Sequence, residues 1–231
     1  LSLLPAGLAI EDARLISAQN LQRHTLFFNR YGGKVGIDYT WQQNADKFLI
    51  ANGNDWKIQE RHLLSLRINP GKQWQWNQFL ESGTQLSHSD FNAVNRYDYR
   101  FWKSETRLSL ITAGQGRISL QGRLNRFYEG SLGHSAVTIH ELQAENQTSL
   151  GKRGFIETQL TWSNVRFPAP SNTALAYDIL QGLQSGSNFR WAASLRIKAA
   201  ERIQADFSYE GRRIPGTPVV HQLRAEARYL F

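Results

Sequence analysis

Leu223-Arg-Ala-Glu-Ala-Arg-Tyr-Leu-Phe231 is the stretch whose reading decides the fold. Leu223, Ala225, Ala227, Tyr229 and Phe231 alternate with Arg224, Glu226 and Arg228. A period of two places every apolar group on one face of a strand and every charge on the other. The same alternation recurs upstream. Val35, Ile37, Tyr39 and Trp41 carry it, then the run from Trp56 to Ile68. Ile118, Leu120 and Leu124 repeat it, followed by Phe189 to Ile197 and Ile203 to Tyr209. Each segment has about the length that a tilted strand needs to cross a bilayer.

The connections between these segments alternate in length. Short turns fall at 31–33, 70–72, 113–115, 150–152 and 199–201. Longer connections fall near 43–55, 87–96, 128–136 and 166–188, with a shorter one near 212–217. A meander in water has no reason to gather its long loops at one end. A transmembrane β-barrel does, with short periplasmic turns and long extracellular loops. With Phe231 at the periplasmic end, counting backwards puts every short turn on that side. The terminal alternation ending on Phe231 also resembles the C-terminal signature of bacterial outer-membrane β-barrels. That resemblance implies recognition by the barrel assembly machinery, through Leu223, Ala225, Ala227, Tyr229 and Phe231.

The segments from 22 to 231 make eleven strands. Single-chain bacterial barrels have even numbers, so residues 8–18 are read as a weak twelfth. The expectation is an all-β, antiparallel up-and-down transmembrane barrel of about 12 strands over 22–231. Residues 1–21 form its first strand or a link to upstream sequence. Within 96–112 the apolar phase switches between Phe101 and Trp102, and within 136–149 it switches between Ile139 and Leu142. Both switches are read as β-bulges. Ser171-Asn-Thr173 before Ala174–Gly182 predicts a short helix, lying outside or folded into the barrel mouth.

Composition narrows the classes. No run of 18 apolar residues occurs, so membrane-spanning helices are not expected. The chain has no cysteine, hence no disulfide or thiol chemistry, and no methionine, which reads as a processed chain or a fragment. Net charge is +8. It points to phosphate-bearing partners, and without a Lys/Arg run or nucleic-acid motif the expected ones are outer-membrane lipids and lipopolysaccharide. No nucleic-acid partner, cofactor or metal site is expected.

The charges fall on the face opposite the apolar residues. Arg61, Arg67, Arg117, Arg123, Arg190, Arg196, Arg224 and Arg228 lie there with Asp38, Asp206, Glu210 and Glu226. In a narrow lumen they either pair into networks that fill the interior or favour anions. Trp41, Trp56, Trp74, Trp162 and Trp191 are assigned to aromatic girdles at strand ends. His88-Ser89-Asp90 is the only candidate for catalysis. Outer-membrane lipid hydrolases use a neighbouring His and Ser, but adjacent residues on an extended chain point opposite ways, so His88 is poorly placed to activate Ser89. The chain is therefore read as a non-enzyme.

A broader resemblance covers most of the chain. It is carried by Ala176–Trp191, Tyr209–Arg213, Val220-His221, Phe28–Arg30 and Gly36–Thr40. These segments resemble the C-terminal region of large uncharacterised outer-membrane proteins of Bacteroidetes-type bacteria, which implies a barrel region of a larger polypeptide and no known activity. The expectation is an integral protein of the bacterial outer membrane, acting as anchor or as narrow pore and transport component, in contact with other outer-membrane or surface proteins. The alternatives are an outer-membrane lipid hydrolase using His88 and Ser89, and a soluble β-barrel or sandwich binding protein.

Overall fold

Alternating β-branched, aromatic and polar residues form long extended segments, and these pair in sequence order. A computed structural model describes residues 17–29, 33–50, 53–90, 96–112, 116–129, 136–167, 179–180, 183–200 and 202–229. The strands are β1 (Ser17–Asn29), β2 (Val35–Ile50), β3 (Gly53–Ile68), β4 (Trp74–Ser89), β5 (Tyr97–Thr112) and β6 (Gly116–Glu129). Then come β7 (Ala136–Ser149), β8 (Gly154–Arg166), β9 (Gly186–Ala200), β10 (Ile203–Arg213) and β11 (Val220–Tyr229). They form one 11-stranded antiparallel sheet in the order β1 to β11. Among the described residues β1 and β11 have no further partner, so the sheet has two edges and is not closed.

Eleven strands match the count from 22 onwards, with three corrections. First, β1 starts at Ser17, so residues 17–18 belong to it and not to a separate preceding strand. Residues 8–16, the remainder of that expected twelfth strand, lie outside the described residues. Second, the long connection expected near 43–55 is strand: β2 runs to Ile50 and β3 starts at Gly53. Its polar residues Gln43, Asn44 and Asp46 stand in a regular ladder against Glu60, Gln59 and Lys57. Third, β5 and β7 carry no bulge, because both pair through in unbroken register. A register shift occurs instead at Ile203/Gln204 between β9 and β10.

The ladder is staggered. The row Trp41–His62–Ser82–Trp102–Arg126–Thr138–Arg166 starts within β2 and reaches the last residue of β8. Such a stagger tilts the strands and curls a sheet. One face, here called inner, has Ser109, Ser119, Gln121, Gln143, Thr161 and Ser163 buried. A flat sheet open to water would leave these small polar groups exposed. The outer face holds Ile37, Leu64, Leu108, Leu120, Leu142, Leu160 and Leu223, all solvent-exposed. The two edges differ from the middle, since β11 is exposed along nearly its whole length on both faces. One end of the sheet carries only short connections (the turn end), and the opposite end also holds the two-residue link between β2 and β3. The other carries the longer connections between β4 and β5, β6 and β7, β8 and β9, and β10 and β11 (the loop end).

Candidate functional site: the inner face

Pairing register assigns each side chain to a face. All eight arginines expected in the lumen lie on the inner face, since they pair across strands with other inner residues: Arg61 with Gln42, Arg67 with Asn77, Arg117 with Gln147, Arg123 with Glu105 and Glu141, Arg190 with Thr161, Arg196 with Asp206, Arg224 with Ser208 and Arg228 with Gln204.

Most of them are satisfied locally. Arg123 is the clearest case: its Nε donates to Glu105 at 2.9 Å and its Nη1 to Glu141 at 2.6 Å. Glu141 also accepts from the Ser163 hydroxyl at 3.1 Å. Two carboxylates on β5 and β7 are thereby held by one guanidinium on β6 between them. Glu81 lies within 3.8 Å of Arg61 and 3.4 Å of Lys103. Asp206 and Glu226 do the same near β11. Arg196 donates to Asp206 at 2.7 Å, and Arg224 and Arg228 both donate to Glu226. Arg67 donates to the Asn29 side-chain oxygen at 2.5 Å and Arg117 to Ser119 at 3.2 Å. Arg190 differs. It stands directly opposite Arg212 in the register and makes no hydrogen bond or ion pair among the described residues.

Towards the loop end the inner face turns apolar. Tyr99 and Phe101 of β5, Phe127 of β6, Val137 and Ile139 of β7 and Val165 of β8 form a buried cluster. Ile179 and Leu180, from the β8–β9 connection, are buried in the same cluster. Of the helix expected over 174–182 only these two residues are described, and they are helical. Their connection is pinned on its return limb. The Asn188 amide donates to the Gln184 and Gly186 carbonyls at 2.8 and 3.1 Å, and the Ser185 hydroxyl donates to the Val165 carbonyl at 3.3 Å. Gly83 lies beneath Phe101, and a Cβ there would sit 2.9 Å from the ring and 2.1 Å from the Glu60 carbonyl oxygen. Sequence reasoning missed this cluster. Its signal was the pair of phase switches in 96–112 and 136–149.

The five tryptophans assigned to girdles all lie on the outer face, at several heights. Trp74 opens β4 at the turn end. Trp41 is within β2 and not at its end, because β2 extends to Ile50. Trp162 and Trp191 also lie within their strands, and Trp56 is near the loop end of β3, stacked on His88 at 5.1 Å. Several have polar partners: Trp41 Nε1 donates to Glu60 at 2.9 Å and Trp191 Nε1 to the Tyr209 hydroxyl at 3.3 Å. Of the terminal signature, Leu223, Ala225, Ala227 and Tyr229 share the outer face, and Phe231 lies outside the described residues.

His88 and Ser89 are not in a loop, as expected, but are the last two residues of β4. His88 points to the outer face and Ser89 to the buried inner face. The His88 ring contacts Asp90 at 3.2 Å, and the Asp90 carboxylate accepts the Asn54 backbone N–H at 2.9 Å. The Asn54 N–H first, then His88, hold the Asp90 carboxyl below the usual carboxylate range. The three residues thus clasp the ends of β3 and β4 and do not form a nucleophile–base pair.

Among the described residues no group of His, Asp and Glu could hold a metal ion, and no helix is long and apolar enough to cross a membrane. Compared with known proteins, the chain matches no family model, no curated protein and no solved structure.

Proposed function

We propose that this chain is a bacterial outer-membrane β-barrel region that serves as a membrane anchor or a narrow, occluded pore. The observation that carries the reading is the inversion of its two faces. Leucine, isoleucine and aromatic side chains stand exposed along the outer face of every strand, while glutamine and serine side chains are buried and paired charges half-buried on the inner face. In water such an exposed apolar surface on a monomer would be an aggregation liability. In a bilayer it is the solvated face, and the polar interior needs its own pairing.

The outer face is also graded. Near the turn end its residues are uncharged on every strand, as in Val35 and Ile37, Leu66 and Ile68, Trp74 and Trp76, and Ile118 and Leu120. Charged groups appear only further towards the loop end. An apolar band with Trp74 and Tyr229 at one rim and Trp41, Trp162, Trp191 and Tyr209 higher up fits a bilayer crossing with two interfacial belts. Backbone edges inside lipid must be paired. Eleven antiparallel strands leave β1 and β11 running the same way, so the seam closes by a parallel pair or through one further strand.

A soluble binding protein would need a second layer over the outer face. A lipid hydrolase would need His88 and Ser89 on one side of the sheet. Neither condition is met by the described residues.

The interior is expected to conduct poorly. Arg123 with its two glutamates crosses the middle strands, and Ile179 and Leu180 fill the loop end. Refolded chain should run as a heat-modifiable band on SDS gels and show little or no conductance in planar bilayers. Ile179→Ser with Leu180→Ser should keep the band and raise conductance, with anion preference from the unpaired Arg190 and Arg212. A chain that stays freely soluble in buffer with no heat-modifiable form would overturn the membrane reading.

A further inference from the structure

We propose that the loop-end rim of the outer face binds the phosphate groups of an anionic glycolipid headgroup, through Arg100, Arg126 and Arg166. The inference rests on the outer-membrane reading above and goes further by naming a site on this chain and the chemistry of its ligand.

Arginine on the inner face mostly has a carboxylate or amide beside it. Three outer-face arginines, on β5, β6 and β8, do not. Arg100, Arg126 and Arg166 make no hydrogen bond or ion pair among the described residues. They are nonetheless placed together. Arg126 of β6 and Arg166 of β8 lie in one register row with Thr138 of β7 between them. Arg100 of β5 is diagonal to Arg126, because Trp102 faces Arg126 and Tyr128 faces Arg100. Strands lie about 4.8 Å apart, so the arc from Arg126 to Arg166 spans roughly 10 Å. That is room for more than one phosphate, with the Thr138 hydroxyl as an added donor.

Height along the strands points the same way. In the turn-end direction the next row on the same outer face is Leu124, His140 and Asn164, and the row after it is Gly122, Leu142 and Trp162. A ligand that meets guanidinium groups, then the polar His140 and Asn164 beside Leu124, and then the apolar Leu142 and Trp162 has an anionic, polar head and acyl tails. Asp98 is the nearby acid on this face, two positions from Arg100 and not ion-paired with it, which leaves the arc net basic. The opposite rim carries no charge on this face. Guanidinium forks match phosphate oxygens bidentately, and they bind more tightly where water is partly excluded.

The test is native mass spectrometry on the detergent-refolded chain, using a bisphosphorylated glucosamine-disaccharide lipid, its dephosphorylated form and inorganic phosphate as separate probes. The expected result is binding of the bisphosphorylated lipid about tenfold tighter than its dephosphorylated form. Arg126→Gln with Arg166→Gln should abolish that preference while keeping the heat-modifiable band, and Arg100→Gln should reduce it in part. Equal binding of the two lipids, or an unchanged preference in the double variant, would overturn the proposal and leave the barrel reading intact. Inorganic phosphate displacing the lipid at equal concentration would overturn the lipid assignment. Loss of heat-modifiability in the unaltered chain would instead remove the outer-membrane reading, and this proposal with it.

Discussion

The two ends of β5 through β8 obey opposite rules. Near the turn end, Leu108, Leu120, Ala144 and Ile156 face outwards and Ser109, Ser119, Gln121 and Gln143 face inwards. Near the loop end, Phe101, Phe127, Ile139 and Val165 face inwards, while Arg100, Arg126 and Arg166 face outwards. The backbone is continuous between the two zones. What changes is the environment on each side of it. Hydrophobic periodicity therefore reports where apolar surroundings lie, and it reports the face only as long as those surroundings stay put.

The comparison breaks most visibly at Phe101. This ring is buried among Tyr99, Phe127 and the cluster holding Ile179 and Leu180. Phe101→Ala should cost about 3–5 kcal/mol, as for other buried aromatics. The urea midpoint of the folded, heat-modifiable species checks it. A loss below about 1 kcal/mol would mean that the loop-end cluster is not a packed core.

Leu120 sharpens the other half. It is exposed at 50% and lies on the outer face of β6. In water, an arginine on such an exposed position changes stability by about 0.5 kcal/mol or less. On the lipid face of a barrel it costs about 2–4 kcal/mol near the bilayer midplane. Equilibrium unfolding of Leu120→Arg in lipid vesicles separates the two, and a neutral result would count against a lipid-facing β6.

Arg123 tests the inner face. Replacing it by alanine leaves Glu105 and Glu141 without their shared cation. The expected cost is about 1–3 kcal/mol, below that of a fully buried pair because Arg123 remains one-third exposed. Arg123→Ala combined with Glu141→Gln should recover part of it. Additive losses would show that the two side chains do not act together.

The strand count from residue 22 onwards was legible because a period of two leaves little room for another reading, and Arg61 to Arg228 could be assigned to one face on that basis alone. The loop end was harder. Tyr97, Tyr99 and Phe101 show the same alternation as Leu108 and Leu110 but in opposite phase, and nothing local tells a bulge from a second apolar zone. The deciding partners, Ile179 and Leu180, are about eighty residues away in sequence. Residues 43–55 look like a loop for a related reason. Asn44, Asp46, Asn54 and Asp55 have loop-like composition, and their strand state comes from cross-strand partners such as Gln59 and Lys57 and from the clasp at Asp90. The His88-Ser89 pair was legible as a negative, since alternation along a strand separates the two.

That clasp gives the smallest effect and the most specific one. Asp90 closes the loop end of the β3–β4 hairpin by accepting the Asn54 N–H and meeting His88. Its carboxyl is held below its ordinary value of 3.8, chiefly by the Asn54 hydrogen bond. A group whose folded-state value is depressed contributes its stability above the unfolded value and loses it as pH falls through the folded one. The clasp should therefore be intact at neutral pH and through the mildly acidic range, and should fail only below the ordinary carboxylate range. Amide exchange at Asn54 reads this directly, because that N–H is the donor. Protection at pH 5 should match protection at pH 7 once intrinsic rates are corrected, and Asp90→Asn should remove most of it at both. Protection lost between pH 7 and 5 would show that the Asp90 carboxylate is not what holds the Asn54 N–H.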